Sequence, residues 1–290
     1  MSAAPPALEV TDLAVTFRTE RGDVPAVRGI SFTLEPGESL AILGESGSGK
    51  SATAHSLLGL VDPPGEVTGS VRFGGTELVG MSERDLNTIR GRELSMVFQD
   101  SLDSLNPVFS IGSQLGEVFR ARAGLSRAAA ADRAVELMAA VGIRDPRQRM
   151  NDYPHQFSGG MRQRICIAMA IALDPNVLIA DEPTTALDVT IQAGILRLLR
   201  TLQRERDMSL IFVTHDLAVA RMVADSVIVM RHGRIVERGV LEDVFRNPRH
   251  PYTQALLDAH PARATRWQDL RPGPEHPGLA TPAGVSDEKR

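Results

Sequence analysis

Cysteine is almost absent from this chain, whose 290 residues include the single thiol of Cys166. One thiol can build neither an internal disulfide nor a thiolate zinc site, so both are excluded within the chain. Aromatic residues make up only 4% of the sequence, and the formal net charge is -4. These values argue against a base-stacking surface and a broadly basic body, and we expect no nucleic acid among the partners.

Long hydrophobic runs are lacking as well. The longest one, Ile165 to Leu173, is far shorter than the about 18 to 20 apolar residues needed to cross a bilayer. The first residues, Met1 to Ala7, have neither the basic nor the apolar region of a signal peptide. We therefore expect a soluble, cytoplasmic protein, whose membrane spans, if it works at a membrane, belong to other chains.

Short apolar runs alternate with helical segments in the second half of the chain. Strands are predicted over 177–180, 210–213 and 227–230, and helices over 159–172, 191–206 and 217–223. Strands that alternate with helices at this spacing indicate an α/β fold with a parallel sheet. Earlier segments, 8–17, 26–34, 39–43 and 70–73, are also predicted as strands, and 82–90 and 126–141 as helices.

A glycine-rich segment follows the strand at 39–43 and opens a helix that is predicted to continue to Leu60. It reads Gly44-Glu-Ser-Gly-Ser-Gly-Lys50-Ser51 and matches the phosphate-loop pattern G-x-x-x-x-G-K-[ST] at every fixed position. Backbone N–H groups and the helix N-terminus of such a loop bind phosphate oxygens, the lysine reaches the β- and γ-phosphates, and the serine binds Mg²⁺. A glycine-rich turn without a ligand is the alternative. The strand–loop–helix context favours a nucleoside triphosphate site, built by Gly44, Glu45, Ser46, Gly47, Ser48, Gly49, Lys50, Ser51 and Ala52.

Two adjacent carboxylates, Asp181 and Glu182, follow the apolar run at 177–180. A buried strand that brings Asp181 beside the phosphate loop would hold Mg²⁺ through Ser51 or a water molecule. Glu182, one residue further, would polarise the attacking water. A solvated turn at a strand end would also place two carboxylates in sequence, but the preceding apolar run and the phosphate loop favour the catalytic interpretation.

Further motifs occur in a fixed order around these two. Phe157-Ser-Gly-Gly-Met161, called the signature below, places Ser158 as a helix N-cap before two glycines. Gln99 follows a predicted strand, Ala186-Leu187-Asp188 follows the two carboxylates, and Thr214-His215-Asp216 follows another strand. Together with the phosphate loop, the set resembles the ATP-binding-cassette (ABC) ATPases in the order of its motifs.

The resemblance, which covers about residues 8–260, implies a fold and a set of roles. The fold is α/β, with a P-loop NTPase core built on a mostly parallel sheet, an antiparallel β subdomain and an inserted α-helical subdomain. ABC ATPases act in head-to-tail pairs, so the signature would contact the partner's ATP. The implied roles are adenine stacking by Phe17, contact with the partner's ATP by Ser158, Gly159 and Gly160, Mg²⁺ binding by Ser51, Gln99 and Asp181, and catalysis by Glu182, His215 and Gln99.

Several segments are similar to one branch of the family, the D-type ATPases of oligopeptide, dipeptide and nickel importers. These are residues 98–107, 153–164, 179–189 and 247–257, and Met161 stands where the signature usually has glutamine. The similarity implies an F-type ATPase partner in a heterodimer, two integral permease subunits and an extracytoplasmic solute-binding protein. It places the chain at the cytoplasmic face of the bacterial inner membrane, as a peripheral subunit that couples ATP hydrolysis to peptide uptake.

The end of the chain departs from that branch. Many D-type chains carry a cysteine-rich stretch after the 247–257 segment, whereas residues 261–290 contain no cysteine, so we expect no iron–sulfur cluster. The proline-rich end predicts a flexible tail. The predicted organisation is a flexible N-terminus at 1–7, a nucleotide-binding domain at 8–246 with its helical subdomain at about 100–172, an importer-type C-terminal segment at 247–265, and the tail at 266–290.

The helical subdomain is also expected to contact the permease. Leu102, Leu105, Pro107 and Phe109 are the apolar residues expected to line a groove beside Gln99 for a permease helix. Ordinary packing of a long loop is an equal alternative for these four residues. Of the histidines outside the motifs, His55 and the others form no metal-ligand pattern and are interpreted as surface or packing residues.

Other members of the superfamily fit less well. DNA-repair and chromosome-structure ATPases separate the phosphate loop from the Asp-Glu pair by a long coiled coil, and no heptad run lies between Lys50 and Asp181. Ribosome-associated factors usually carry two cassettes. A non-hydrolysing regulatory cassette would be expected to lack Glu182 or His215, and both are present. Within importers, nickel or another small solute remains the alternative cargo, because the ATPase contacts nucleotide and permease rather than cargo.

Overall fold

The computed structural model describes residues 5–99, 104–184 and 187–259. A six-stranded sheet forms the centre of this part of the chain, in the strand order β10-β9-β3-β8-β7-β6. Its strands are β3 (Ser39–Leu43), β6 (Leu94–Val97), β7 (Val177–Asp181), β8 (Ser209–Thr214), β9 (Ser226–Arg231) and β10 (Arg234–Val240).

The inner strands of this sheet are parallel. β3 pairs with β8 and with β9, and β7 pairs with β8 and with β6, all in parallel register, whereas β10 is an antiparallel edge strand. Every residue of β3, β6, β7 and β8 is buried. Continuous apolar runs are typical of parallel strands that are covered on both faces, and the predicted α/β fold with a mostly parallel sheet is confirmed.

A smaller antiparallel sheet lies before and after the phosphate loop in sequence, with the strand order β2-β1-β4-β5. Its strands are β1 (Leu8–Thr19), β2 (Gly22–Leu34), β4 (Gly65–Phe73) and β5 (Thr76–Glu77). β1 pairs with β2 on one side and with β4 on the other. Apolar side chains from this sheet and from β3 share one core with Ala54 and Leu57 of the helix after the phosphate loop.

Helices cover the sheets, and most of them begin at a side-chain cap. Ser82, Ser110, Ser126, Ser158, Asp188 and Asp216 each accept a hydrogen bond from a backbone N–H in the first turn of the helix that follows. The helices are α1 (Lys50–Leu57), α2 (Glu83–Ile89), α3 (Ile111–Ala123), α4 (Arg127–Ala140), α5 (Pro146–Arg149), α6 (Gly159–Ala170), α7 (Val189–Glu205), α8 (Leu217–Val223), α9 (Leu241–Arg246) and α10 (Pro251–Ala259).

Two further cores hold these helices. One contains the buried faces of α3, α4, α6 and α7, and the buried Cys166 belongs to it, as expected of a packing residue. The other lies on the same face of the sheet, further toward β9, where α8, α9 and α10 pack on β3 and β9. The C-terminal helices are therefore part of the folded core that supports β3 and the loop after it.

The structure differs from the sequence prediction at several elements. The helix after the phosphate loop was expected to continue to Leu60, but α1 ends at Leu57. Helices α3, α9 and α10 and strand β10 were not predicted at all. The predicted flexible tail at 266–290, most of the flexible N-terminus and Leu102 lie outside the described residues.

Candidate functional site

The polar residues singled out from the sequence meet at one edge of the parallel sheet. The phosphate loop (residues 44–51) follows β3, and Gln99 follows β6. Asp181 is the last residue of β7, Glu182 comes directly after it, and His215 follows β8. These four strands are parallel neighbours, so their carboxyl ends lie along the same edge. Ligand sites of open α/β sheets occur at this edge, outside the carboxyl ends of the strands.

A cavity of about 560 Å³ opens at this edge. The described residues that line it are Ala26, Glu45, Ser46, Gly47, Gly49, Lys50, Ser51, Ala52, Gln99, Glu182, His215 and Leu256. Ten of these twelve were predicted as site residues, whereas Ala26 and Leu256 were missed. Gly44 and Ser48 of the loop and Asp181 of β7 are buried and are not among the residues that line the cavity.

Lys50 is buried in the phosphate loop and held by its backbone. Its ammonium donates to the carbonyl oxygens of Gly44 at 2.8 Å and Glu45 at 2.9 Å, and only 5% of the residue is exposed. Burial lowers the pKa of Lys50, and the negative charges of Glu182 and Asp181 oppose that effect. A lysine thus lines the cavity from within a glycine-rich loop at a helix N-terminus, and such loops bind phosphate.

The close packing of the loop explains one of its glycines. Gly49 has a φ of 101°, and a Cβ at this position would lie 2.3 Å from the carbonyl oxygen of Ala26. Any other residue would displace the β2 backbone or the loop itself. Ala26, which the sequence interpretation missed, is therefore both a wall of the cavity and the backbone contact of the loop.

Ser51 and Asp181 form a pair of oxygen donors beside the cavity. The Ser51 hydroxyl donates to Oδ1 of Asp181 over 3.2 Å, and Asp181 is 1% exposed. Burial raises the pKa of this carboxyl group, while the hydrogen bond from Ser51 and the charges of His55 and Lys50 lower it. Nε2 of His55 lies 3.9 Å from Oδ2 of Asp181, so His55 belongs to the surroundings of the site and is more than the packing residue that was predicted.

Glu182 and His215 form a second pair. Oε1 of Glu182 lies 2.9 Å from Nδ1 of His215. Glu182 has a left-handed backbone with a φ of 43°, and its N–H donates to the carbonyl of Val213 at 3.0 Å. Non-glycine residues adopt this conformation only where the surrounding structure enforces it, and such residues are frequent at functional sites.

The structure does not place every predicted residue at the cavity. Phe17 is half-buried on β1, where it pairs with Val24 of β2 and with Gly65 of β4. Gly65 has no side chain there, and a Cβ on it would lie 3.0 Å from the Phe17 ring. The ring therefore packs against the β4 backbone beside the site, and its stacking on adenine stays a prediction.

The signature lies at the start of α6, apart from the residues that line the cavity. The Ser158 hydroxyl accepts a hydrogen bond from the N–H of Met161 at 3.4 Å, as predicted for an N-cap. A Cβ at Gly160 would lie 2.4 Å from Cγ2 of Ile191, so only glycine lets α6 approach α7 this closely. Gly160 thus has a packing role within this chain, in addition to the predicted contact with a partner's nucleotide.

The four apolar residues expected to line a permease groove are in different surroundings. Leu105 is 3% exposed and packs in the core of the helical region, so its prediction as a groove residue is wrong and the packing alternative holds for it. Pro107 is exposed, and Phe109 is 53% exposed. Two apolar neighbours that were not predicted, Phe98 and Val108, are also exposed, at 40% and 70%.

No group of three or more His, Cys, Asp or Glu side chains within residues 5–99, 104–184 and 187–259 is placed to hold a metal ion. No helix in the same ranges is long and apolar enough to cross a membrane.

Two family models match the chain. The model of the ABC transporter family matches residues 27–185, and the model described as "Oligopeptide/dipeptide transporter, C-terminal region" matches residues 236–283. The first covers more than half of the chain, and it includes the phosphate loop, the signature and the Asp181–Glu182 pair.

Curated relatives are similar over most of their length. The oligopeptide transport ATP-binding protein OppD of Bacillus subtilis is 53% identical, over 88% of this chain and 72% of the relative. OppD of Salmonella typhimurium is 50% identical, over 98% of this chain and 85% of the relative. The dipeptide transport ATP-binding protein DppD of Bacillus subtilis is 49% identical, over 91% of this chain and 80% of the relative.

A solved structure has the same fold. The ATP-binding cassette MJ0796, determined as a dimer in a post-hydrolysis state with ADP and Pi, superposes with a TM-score of 0.71 and 28% identity, over 81% of this chain and 98% of that one. The matched family model, the relatives and the strand-edge site agree with one another. The chain belongs to the ABC transporter family, as an ATP-binding and ATP-hydrolysing subunit that works with membrane permease subunits.

Proposed function

We propose that this chain drives peptide import, by hydrolysing Mg²⁺-bound ATP at the strand-edge site while separate permease subunits form the path across the membrane. The observation that carries the catalytic part is the juxtaposition of Lys50, the Ser51–Asp181 pair and the Glu182–His215 pair around one cavity. The cargo rests on the C-terminal match at 236–283 and on relatives that are oligopeptide and dipeptide transport proteins.

The phosphate loop binds the triphosphate. Six residues of the loop line the cavity and α1 begins at Lys50, and anions bind at such loop–helix junctions. Lys50 leaves its two carbonyl partners to reach the β- and γ-phosphates, a short movement for an ammonium whose acceptors belong to the same loop. Its burial strengthens the attraction, because little water screens the charge.

Ser51 and Asp181 have the chemistry that Mg²⁺ requires. Both supply oxygen ligands, and the two oxygens already lie 3.2 Å apart. Among the described residues, the basic side chain paired with the buried carboxylate is His55, at 3.9 Å. Mg²⁺ takes one or two protein oxygens together with phosphate oxygens and water, so this donor set fits. Gln99, at the cavity wall, offers a further amide oxygen. The ion, when bound, neutralises the charge that builds up on the phosphates.

Glu182 and His215 act on the attacking water molecule and the γ-phosphate. The Glu182 carboxylate lines the cavity and accepts a proton from the attacking water molecule, and the His215 imidazole contacts the γ-phosphate. The hydrogen bond between the two side chains fixes the orientation of both, and a positioned base contributes about 10²- to 10⁴-fold to such a rate.

The signature serves a second ATPase subunit. Ser158 caps α6 away from this chain's own cavity, so its helix N-terminus is free to face the nucleotide of a partner. The partner is an F-type ATPase in a head-to-tail heterodimer, and MJ0796, the structural relative, is itself dimeric. An extracytoplasmic binding protein delivers the peptide, and the complex sits on the cytoplasmic face of the bacterial inner membrane.

The permease contact lies between the sheet and the helical region. The described residues that line a cavity of about 450 Å³ there include Met96 of β6, Phe98 directly after β6 and Met169 of α6. The exposed side chains of Phe98, Val108 and Phe109 provide an apolar surface for a permease helix. Gln99, next to Phe98, lines the nucleotide cavity, so one short segment contacts both the nucleotide and the docking surface.

The test is reconstitution of the full transporter in vesicles. The chain is combined with the F-type subunit, the two permeases and the binding protein, and uptake of labelled di- and oligopeptides is followed with ATP supplied on the side of the ATPase subunits. Peptide uptake that depends on ATP, and that Lys50→Ala abolishes, supports the proposal. ATP hydrolysis that responds to the binding protein loaded with nickel or another small solute, and not with peptide, would assign a different cargo.

A further inference from the structure

The C-terminal helix α10 contacts the phosphate loop directly. The phenolic oxygen of Tyr252 accepts a hydrogen bond of 3.2 Å from the backbone N–H of Glu45, although the two residues are 207 positions apart in sequence. Leu256, one turn further along α10, lines the nucleotide cavity. Neither residue belongs to a nucleotide-binding motif, and neither contact was expected from the sequence.

Tyr252 is held rigidly at this position. It is 7% exposed and packs with Leu43, the last residue of β3, in the core that contains residues of α8, α9 and α10. The guanidinium of Arg231 lies over its ring at 4.8 Å from the centroid, and its backbone N–H donates to Nδ1 of His250 at 3.1 Å. A ring fixed on two sides presents its hydroxyl to Glu45 at little cost in side-chain entropy.

The start of α10 is anchored by a carboxylate on β10. Glu237 accepts hydrogen bonds from the backbone N–H groups of Arg249 at 2.8 Å and His250 at 3.1 Å. Partial burial raises the pKa of Glu237, but hydrogen bonds that include those from the N–H groups of Arg249 and His250 outweigh it, so the pKa lies below its ordinary value. Glu237 is therefore ionised at neutral pH and holds the helix that carries Tyr252 against the sheet.

The turn between β9 and β10 makes a second hydrogen bond to the phosphate loop. The N–H of Gly233, in the turn between β9 and β10, donates to the carbonyl oxygen of Ser48 at 2.9 Å. This turn follows Arg231, the residue that stacks on Tyr252. The loop is thus held at Ser48 by the β9–β10 turn and at Glu45 by α10, while α1 continues from its end.

We propose that Tyr252 is a positioning residue for ATP binding, which holds the phosphate loop in its binding conformation through the N–H of Glu45. The proposal rests on nucleotide binding at this loop. Without the hydroxyl, the Glu45 N–H loses its acceptor and the loop spends part of its time in conformations that do not bind phosphate. The apparent Kd for ATP then rises in inverse proportion to the fraction of chains whose loop is in the binding conformation. The Glu182–His215 pair is not changed.

The test compares Tyr252→Phe with Tyr153→Phe. Tyr153 is the other tyrosine of the chain and is 41% exposed, so its variant loses the same hydroxyl away from the loop. Loss of one hydrogen bond that preorganises the loop should raise the Kd for ATP of Tyr252→Phe by about 3- to 10-fold, with kcat at saturating ATP unchanged. Tyr153→Phe should bind ATP as the parent chain does. Equal Kd values for the two variants would overturn the proposal, as would a fall in kcat with an unchanged KM.

A double-mutant cycle that removes the N–H donor of Glu45 distinguishes positioning of the phosphate loop from general destabilisation of the protein. Glu45→Pro removes the backbone N–H that donates to Tyr252, so Tyr252→Phe should have no further effect on the Kd in that background. Full additivity of the two changes would contradict the assigned contact. Lys50→Ala serves as the control for the site itself: if the parent chain and Lys50→Ala bind ATP equally, the proposed nucleotide site fails, whatever Tyr252 does.

Discussion

Oε1 of Glu182 lies 2.9 Å from Nδ1 of His215, and the two residues come from the ends of neighbouring parallel strands. The side chain of Glu182 is 13% exposed, whereas that of His215 is 59% exposed. The carboxylate is therefore shielded and fixed, while the imidazole extends into the cavity. This relationship gives the proposed base a defined orientation, as positioned general-base catalysis requires.

Glu182→Gln should stop hydrolysis and leave ATP binding intact. The amide keeps the shape of the side chain but cannot accept the proton of water, so turnover should fall by about 10²- to 10⁴-fold. Single-turnover release of phosphate and the Kd for ATP measure the two effects separately. Glu136→Gln, a change on the exposed face of α4, should leave both unchanged. An unchanged rate for Glu182→Gln would refute the role of Glu182.

The effects of His215→Ala and Glu182→Gln on the turnover rate should not be additive. Because the two side chains form one hydrogen-bonded unit, removal of either disables the same step, and the double variant should be little slower than the slower single variant. Turnover rates of the four proteins in the cycle give the coupling directly. Multiplicative rate losses would mean that the two residues act on different steps.

The residues around the cavity could be predicted from the sequence because local motifs combine there with a topological rule. The phosphate loop and the Asp181–Glu182 pair each follow an apolar run, and parallel strands bring their carboxyl ends to one edge. Lys50, Ser51, Gln99 and His215 were placed correctly around one cavity for that reason.

The missed contacts depend on tertiary packing that no local pattern encodes. Leu256 and Ala26 line the cavity from segments that are distant in sequence, and His55 reaches Asp181 only because α1 begins at the phosphate loop. The α3 helix contains Gly112 and Gly116, which lower helix propensity, so its existence depends on the core it packs against. Its Ser110 cap and the left-handed Gly124 at its end were usable signals.

Asp181→Asn should stabilise the chain without nucleotide and abolish its response to Mg²⁺-ATP. Burial raises the pKa of Asp181, so the folded state takes up a proton more readily than the unfolded state above the ordinary value of 3.8. The stability linked to this group is fully present below that value and is lost as the pH rises through the raised pKa. At neutral pH the asparagine avoids the buried charge, which should add about 1 kcal/mol, or about 2 to 4 °C in Tm.

Thermal unfolding of Asp181→Asn and the parent chain at a series of pH values tests this sign. The difference in Tm should grow from acid to neutral pH and then level off. Asp62→Asn, an exposed position, should show no such trend. A parent chain that is more stable than Asp181→Asn at neutral pH would show that the contacts of the carboxylate with Ser51 outweigh its burial.

Ser158→Ala should impair the contact with a partner subunit and leave this chain's own ATP site intact. Ser158 caps α6 outside the cavity, so ATP binding to the isolated chain should not change. ATP-dependent association with the F-type subunit, measured by light scattering in the Glu182→Gln background, should be lost. Ser126→Ala is the matched control, because Ser126 caps α4 through an equivalent hydrogen bond of 3.3 Å. Both changes should cost about 1 kcal/mol of stability, and only Ser158→Ala should prevent association.

Phe109→Ala should uncouple hydrolysis from transport. Phe109 is 53% exposed, and Gln114 holds its backbone by donating to its carbonyl at 3.0 Å, so truncation removes apolar surface without displacing the loop. In the reconstituted transporter, peptide uptake should fall several-fold while basal ATP turnover is retained. Val240→Ala, an equally exposed apolar position on β10, should affect neither. Loss of uptake and turnover together would mean that Phe109 supports the ATP site, and the permease contact would then have to lie elsewhere on the helical region.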